Sequence, residues 1–473
     1  VEWTNWRTGS AAEEAMMATV LERFGRFSAE RRAAGLDDDV RRHARRAVID
    51  WFASTLPGGV MPPATLAARA LQDQVGRGRA SLLPSGTPAG GQAAALINGT
   101  AAHTVEFDDI YRDGLYHPGA PTIAAALAAA ELVDADGELL LQGVVAGYEV
   151  SNRIAVAVNP RHYDFWHTTA TVGCFGAAGA AATILGLDGA ATAHALASSA
   201  TMAAGLQQAF RADAMSKPLH SGRAAEAGLL SARLAAEGVT GALDALEGPR
   251  GFAAAMSGAT IDWQAVTADL GSDWTITRVT FKNHAACGHV HAAVDAVRAL
   301  ADEHRLSAVD VERIEVGSYA KSLEICGNAT PTTVFEAKFS LPYCVAAALV
   351  LGSVRRAAFE DKAMADPDLR ALAARVVHTV DPGCEAAFPK ARSARVAILT
   401  RDGRRLERFA PTRKGDPDNP LTDADLADKF HELAGPVLGP ARGADLLAGL
   451  QALGGRRRVR DLMAGAALPR AAE

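Results

Sequence analysis

Cysteine, aromatic side chains and clustered positive charge are all scarce in this sequence. Its five cysteines, at 174, 287, 326, 344 and 384, are dispersed through 473 residues and form no CxxC pair. An odd, scattered set disfavours a disulfide framework or a zinc ribbon and fits a reducing, cytoplasmic setting. Aromatics are 6% of the chain, too few for a β-sandwich, whose strands favour aromatic and β-branched residues. Lys and Arg number 48 against 54 Asp and Glu, a formal net charge of −6. The bases are spread out, so no concentrated basic face is available to duplex nucleic acid. No internal repeat and no low-complexity tail is visible. The opening VEWTNWRTGSAAEE has acids and no apolar h-region, so no secretory signal is expected. The only long uncharged run, TTATVGCFGAAGAAATILGL from Thr168 to Leu187, consists of Gly, Ala and Thr rather than Leu, Ile and Phe. Such a run gains little from insertion into lipid, so a buried helix is expected and no membrane association.

What is abundant is small and apolar. Hydrophobic residues are 49% and glycine contributes 44 positions, ample for a large core, and the length points to two domains. Small residues allow helices to approach closely. From Glu13 to about Leu270 the periodicity reads as helical almost throughout; DDDVRRHARRAVIDWFASTL, for example, opens with acids and repeats apolar residues at Val40, Ala44, Val48 and Phe52. Near Trp274 the texture changes. TITRVTFKNH and VERIEVGSY alternate like strands, and ARVAILTRDGRRLERFAP reads as a hairpin about Asp402-Gly403. After the polar TRKGDPDNP, helix returns at LTDADLADKFHELAG, with Thr422 and Asp425 in capping-box spacing. The expected fold is mainly α: a large all-helical domain, residues 1–270 and 413–473, with a smaller inserted α+β lid, residues 271–412.

Four residue clusters could carry chemistry. The first, HTVEFDDIYRDGLYHPGAP, sets Glu106, Asp108, Asp109 and Asp113 between His103 and His117, with flanks too apolar for a free surface loop. Its aspartates resemble the magnesium-binding helix of all-α terpene synthases only weakly, because the third is late and no partner motif follows. In the second, NPRHYDFWHTTATVG, His167 precedes the small-residue helix, where Thr168, Thr169 and the helix-start N–H groups could receive an anion. The third, RADAMSKPLHSGRAAEAG, offers Lys217, His220 and Arg223. The fourth, FKNHAACGHVHAAVDAV, crowds His284, His289 and His291 beside Cys287; HxH alone is common, no established zinc spacing is present, and no metal is expected. Clustered histidines beside carboxylates and lysines point to proton transfer.

In the order NGTAAHTVEFDD, YHPGAP, GYEVSNRI, WHTTATVG, SKPLHSGRAAEAGLL, CGHVHAAVDAV and EAKFSLPYCVAAAL, these segments resemble the MmgE/PrpD family, from about Val40 to Phe430. That family includes 2-methylcitrate dehydratase, cis-aconitate decarboxylase and iminodisuccinate epimerase. The resemblance implies a helical domain with an α+β lid, a homodimer, an active site between the two parts, and no metal or organic cofactor. By motif it places the catalytic set on Glu106, His117, His167, Lys217 and the lid's His291, with Tyr343 beside them. His103, Asp109, Arg161, Arg211 and Lys282 complete the substrate-binding candidates. The chemistry implied is proton abstraction next to a carboxylate of a small di- or tricarboxylate, followed by loss of water, loss of CO₂ or reprotonation, with dehydration placed first. A non-catalytic carboxylate-binding relative is the rival from another class. Two positions depart from the family's dehydratases and decarboxylases, which typically read Asp-Phe-Asp-Asp-Thr where this chain has Glu106-Phe107-Asp108-Asp109-Ile110. The longer acid and the lost hydroxyl reshape the acid network and favour a different substrate.

Overall fold

The computed structural model describes residues 18–210 and 214–469. The chain is mainly α. Helices α1 (Val20–Arg31), α2 (Asp38–Gly58), α3 (Gly91–Thr104), α4 (Gly119–Val133), α5 (Gly137–Val158), α6 (Gly173–Leu185), α7 (Gly189–Met202) and α8 (Ser216–Ala236) form its first part. Helix α6, the small-residue run, is the hub, with α4, α5 and α8 packed around it. Its composition makes that possible. A Cβ on Gly147 of α5 would lie 2.4 Å from the Gly176 carbonyl of α6, and one on Gly228 of α8 would lie 2.4 Å from Ala177 Cβ. Larger residues at either crossing would force the helices apart and open voids in a core that tolerates few. The apolar run is not one helix, because a single turn at Thr168–Thr171 precedes α6. Over 168–185 it is 94% buried inside the molecule.

The second part carries α9 (His291–His304), α10 (Leu341–Val350) and α11 (Pro367–Ala373), with strands β3 (Val311–Ser318), β4 (Val376–Val380), β5 (Ala394–Thr400) and β6 (Arg405–Ala410) in the order β4-β3-β5-β6. Strands β3 and β4 run parallel; β5 is antiparallel to both β3 and β6. The β5–β6 turn has Gly403 at φ 88°, a left-handed conformation glycine adopts freely. Helix α9 packs on β5 and β6. The chain then forms α12 (Asp423–Leu438), α13 (Pro440–Gln451) and α14 (Val459–Gly465). The capping box is present, with Thr422 N–H on Asp425 Oδ2 at 2.9 Å and Asp425 N–H on Thr422 Oγ1 at 3.1 Å. Helices α12 and α13 pack against α2, and α14 against α4. The Lys429 ammonium of α12, fully buried, binds Asp50 Oδ1 of α2 at 2.6 Å, the Phe107 carbonyl at 2.6 Å and the Lys282 carbonyl at 3.1 Å.

Two expectations are corrected. The first part is not helical throughout: β1 (Val75–Ser81) pairs antiparallel with β2 (Pro88–Ala89). Its VGRGRAS sequence is largely exposed, so no apolar alternation marks it, while Gly76 and Gly78 at φ 93° and 126° resist helix. Conversely, TITRVTFKNH is a 3₁₀ turn at Thr275–Arg278 followed by one bridge, in which Thr280 and Ile110 exchange N–H···O bonds of 2.8 and 2.9 Å. Its alternation reflects burial against α5 and the 106–110 segment rather than a ladder. The start expected at Glu13 lies outside the described residues.

Candidate active site

Both parts of the chain wall a cleft of about 520 Å³ of atom-free space. Glu106, Ile110, His117, Tyr163, His167 and Lys217 come from the helical part, and Lys282, Cys287, Gly288, His289, Phe339 and Arg392 from the part with the sheet. Five sequence candidates therefore meet here: Glu106, His117, His167, Lys217 and Lys282.

Glu106 follows the end of α3 in a left-handed conformation, φ 59°, which costs a non-glycine residue about 1–2 kcal/mol. Its surroundings hold it there. Lys217, in the first turn of α8, pairs with Glu106 Oε1. Lys282 Nζ lies 3.5 Å from Oε2 and donates to the Glu106 carbonyl at 2.8 Å. The Lys217 ammonium also sits 5.5 Å from the Phe339 ring centroid. Burial, and then the charge of Lys282, push Lys217 well below the ordinary lysine range. Such an amine gives up a proton readily and, when charged, acts in a site of low polarity.

Behind this pair lies a histidine layer. His103 Nδ1 is 2.7 Å and His117 Nδ1 3.1 Å from Asp108 Oδ2. The His103 ring contacts His117 edge-on at 4.8 Å and stacks on His167 at 5.6 Å. His167 Nδ1 is 3.0 Å from His220 Nδ1, so one ring donates and the other accepts. Burial pushes His103 down to about 3, His220 to about 4 and His167 well below the usual range. Asp108 is pushed up by burial, but His103 and His117 outweigh that and hold it well below the carboxylate range. At neutral pH the layer is thus one carboxylate anion among neutral imidazoles. His117 lines the cleft with Nδ1 3.1 Å from Asp108 Oδ2, an arrangement in which a carboxylate can stabilise an imidazolium as it forms.

His103, Asp108 and His117 are also the described residues that could converge on a metal ion, their ligand atoms lying within 4.8 Å of one another. The local charge argues against a cation, since Lys282 Nζ is 3.9 Å from the second Asp108 oxygen.

The remaining candidates lie elsewhere. His291, the first residue of α9, is fully buried, with Nε2 3.1 Å from the Ala286 carbonyl and its ring against His284. Its neighbour His289 lines the cleft instead, fixed by Tyr319 Oη at 2.7 Å. Asp109 faces away: Tyr148 Oη and Gly119 N–H donate to it at 2.8 and 2.9 Å, and burial raises it to about 8. Tyr343 Oη donates to the Ala358 carbonyl at 2.6 Å, away from the cleft. Arg161 is exposed, on the Gly258 carbonyl. Arg211 lies outside the described residues. Thr168 and Thr169 are not among the residues that wall the cleft, and their hydroxyls accept from Asn159 Nδ2 and His117 N–H, each at 3.3 Å. The sequence does not single out Tyr163 or Arg392 in the wall, and of the fourth cluster's histidines the resemblance selects His291 rather than His289. His289 shares the HxH motif with the residue chosen, and Arg392 has no motif.

Residues 22–264 match the MmgE/PrpD N-terminal domain, and residues 284–450 the MmgE/PrpD C-terminal domain. Over 443 residues the chain is 28% identical to the cis-aconitate decarboxylase-like protein oryM of Aspergillus oryzae, covering 87% of this chain and 90% of that protein. It is 24% identical over 444 residues to cis-aconitate decarboxylase of Aspergillus terreus, covering 88% and 90%. Against cis-aconitate decarboxylase of Homo sapiens it is 26% identical over 359 residues, 73% of each chain.

Proposed function

The chain belongs to the MmgE/PrpD family and is an enzyme of the lyase type, and from that premise we propose that it decarboxylates a small unsaturated polycarboxylate with no help from a cofactor. The observation that carries the reading is the meeting of the Lys217–Glu106 pair with the Asp108-backed His117 in one cleft. In such a decarboxylation the C–C bond to a carboxylate breaks and CO₂ leaves. The electron pair passes through the adjacent double bond to carbon, and a cavity acid supplies the proton of the new C–H bond. Lys217 is the cation against which the developing negative charge is stabilised, a contribution of about 10²–10³ in rate for a fixed donor. His117, neutral at rest, takes up a proton from solvent as the substrate binds and delivers it to that carbon, with Asp108 compensating the transient imidazolium, and this adds about 10²–10⁴. Neutral His167 donates to a substrate oxygen. The sheet-bearing part closes the cleft as a lid and excludes water.

Dehydration is the second reading, favoured by the same histidines: a neutral imidazole takes the proton next to a carboxylate, and Lys217 protonates the departing hydroxide. Incubation with citrate-, aconitate- and aspartate-derived acids in deuterated water, followed by NMR, separates the two. Decarboxylation places deuterium at the carbon that gains the C–H bond and releases CO₂. Dehydration gives exchange at the carbon next to a carboxylate and no CO₂. Lys217→Met and His117→Asn should each abolish the label; unchanged turnover in both variants would remove the proposed machinery.

A further inference from the structure

The cleft has three basic side chains that carry charge at neutral pH in water, and they are not equally provided for. Lys217 has Glu106, and Lys282 has the Glu106 carbonyl and both nearby carboxylates. Arg392 differs. It lies two residues before β5, is only 6% exposed and lines the cleft. Its Nε is fully buried with no hydrogen-bond partner, and among the described residues its guanidinium meets no carboxylate. Asp416, the acid that could have served it, is taken up by others. Arg413 Nε and Nη2 bind its two oxygens at 3.1 and 2.5 Å, and Thr280 Oγ1 donates to it at 2.6 Å. A buried guanidinium without an anion is costly to keep, and unlike lysine, arginine does not relieve that cost by losing its proton.

We propose that Arg392 anchors a carboxylate of the substrate that takes no part in bond breaking, gripping it fork to fork while Lys217 and His117 address the reacting end. The assignment rests on the polycarboxylate reading and deepens it, because Arg392 needs a second carboxylate while the first is held at the reacting end. It also gives the two parts of the chain separate duties: the helical part brings the reacting groups, and the sheet-bearing part recognises the remote acid. Planar bidentate pairing with carboxylate is what the guanidinium fork provides and an ammonium does not. Tyr163 and His289, neighbours of Arg392 in the wall, would border the bound carboxylate.

The test uses the full chain as wild type, Arg392→Met and Arg392→Lys, with propane-1,2,3-tricarboxylate as an inert probe in calorimetry and the acid that exchanges deuterium in kinetics. Losing a charge-assisted pair is expected to weaken probe binding and raise KM about 10- to 100-fold in Arg392→Met. Arg392→Lys should fall between it and wild type, and kcat should stay within about threefold in both, since the reacting end is untouched. Probe affinity of Arg392→Met equal to wild type overturns the anchor, as does a fall in kcat at constant KM. So does a wild type that binds no tricarboxylate. If Arg392→Met does not fold, Arg392→Lys decides by the same split. A wild type that binds the probe but exchanges no acid refutes the proposed function instead, and the anchor then stands or falls on the affinity of the variants.

Discussion

Gly288→Ala probes how tightly the two parts of the chain meet at the cleft. A Cβ on Gly288 would lie 2.6 Å from Arg413 Nη1, 3.0 Å from Ile110 Cδ1 and 3.4 Å from Arg392 Nη1. Carbon and nitrogen prefer to be about 3.5 Å apart, so the overlap with Arg413 is roughly 0.9 Å. Arg413 cannot swing aside, being fully buried with Nε and Nη2 on Asp416 and Nη1 on the Gly288 carbonyl at 3.2 Å. Either the 287–289 backbone retreats or the Arg413–Asp416 pair loosens. Overpacking costs about 1–3 kcal/mol, and partial loss of a buried pair brings the expected total to about 3 kcal/mol. With a slope of about 3 kcal/mol/M, the urea midpoint followed by circular dichroism should fall by about 1 M. Adding Ile110→Val removes only the Cδ1 contact, so the double variant should recover less than about 1 kcal/mol. A Gly288→Ala midpoint within about 0.3 M of the parent would refute the reasoning.

Four further outcomes are expected. Asp109, raised from 3.8 to about 8 by burial, stabilises the fold while protonated; that share is complete below about pH 4 and is lost as pH rises toward 8, so urea midpoints of Asp109→Asn should decline less over pH 5–8 than those of wild type. Equal declines would show that Asp109 titrates normally. Ile110→Thr, placing a hydroxyl in the cleft wall, should change the ratio of kcat/KM between two competing acids about tenfold or more; an unaltered ratio would separate this position from specificity. Exhaustive dialysis against a chelator should leave turnover unchanged, and loss restored by added divalent metal would overturn the cofactor-free reading. The resemblance implies a homodimer, so light scattering should give twice 49.2 kDa, and a monomer mass would contradict it.

The parts of the molecule that could be read in advance are those where burial imposes a period or a turn demands a residue type. The Val40, Ala44, Val48 and Phe52 stripe of α2, the Thr422 capping box and the Gly403 hairpin are of this kind. The β1–β2 pair was not, because its exposed residues need no apolar alternation. In the site, the clusters that hold Glu106, His117, His167 and Lys217 stand in dense polar breaks between apolar helices, which marks the segments, while the family resemblance picks out the residues within them. Choosing between His289 and His291 required knowing where α9 begins, since a shift of two residues turns one ring to the cleft and the other to the Ala286 carbonyl. Arg392 sits in an ordinary ARSARV segment. Its significance comes from a carboxylate it does not have, and only three-dimensional neighbours reveal such an absence.

The Lys429 contacts have a consequence for the order in which the protein is made. The segment that carries Glu106 and Phe107 leaves the ribosome roughly 320 residues before Lys429, which at about 5–20 residues per second is roughly 15–65 s. Throughout that interval Asp50 and the Phe107 carbonyl lack the ammonium that later fills the space between them. A product ending before α12 would contain every wall residue of the cleft and still lack the cation beneath its floor. Completion of the candidate site is thereby tied to translation of the C-terminal helices, and prematurely ended chains are left without a finished cleft.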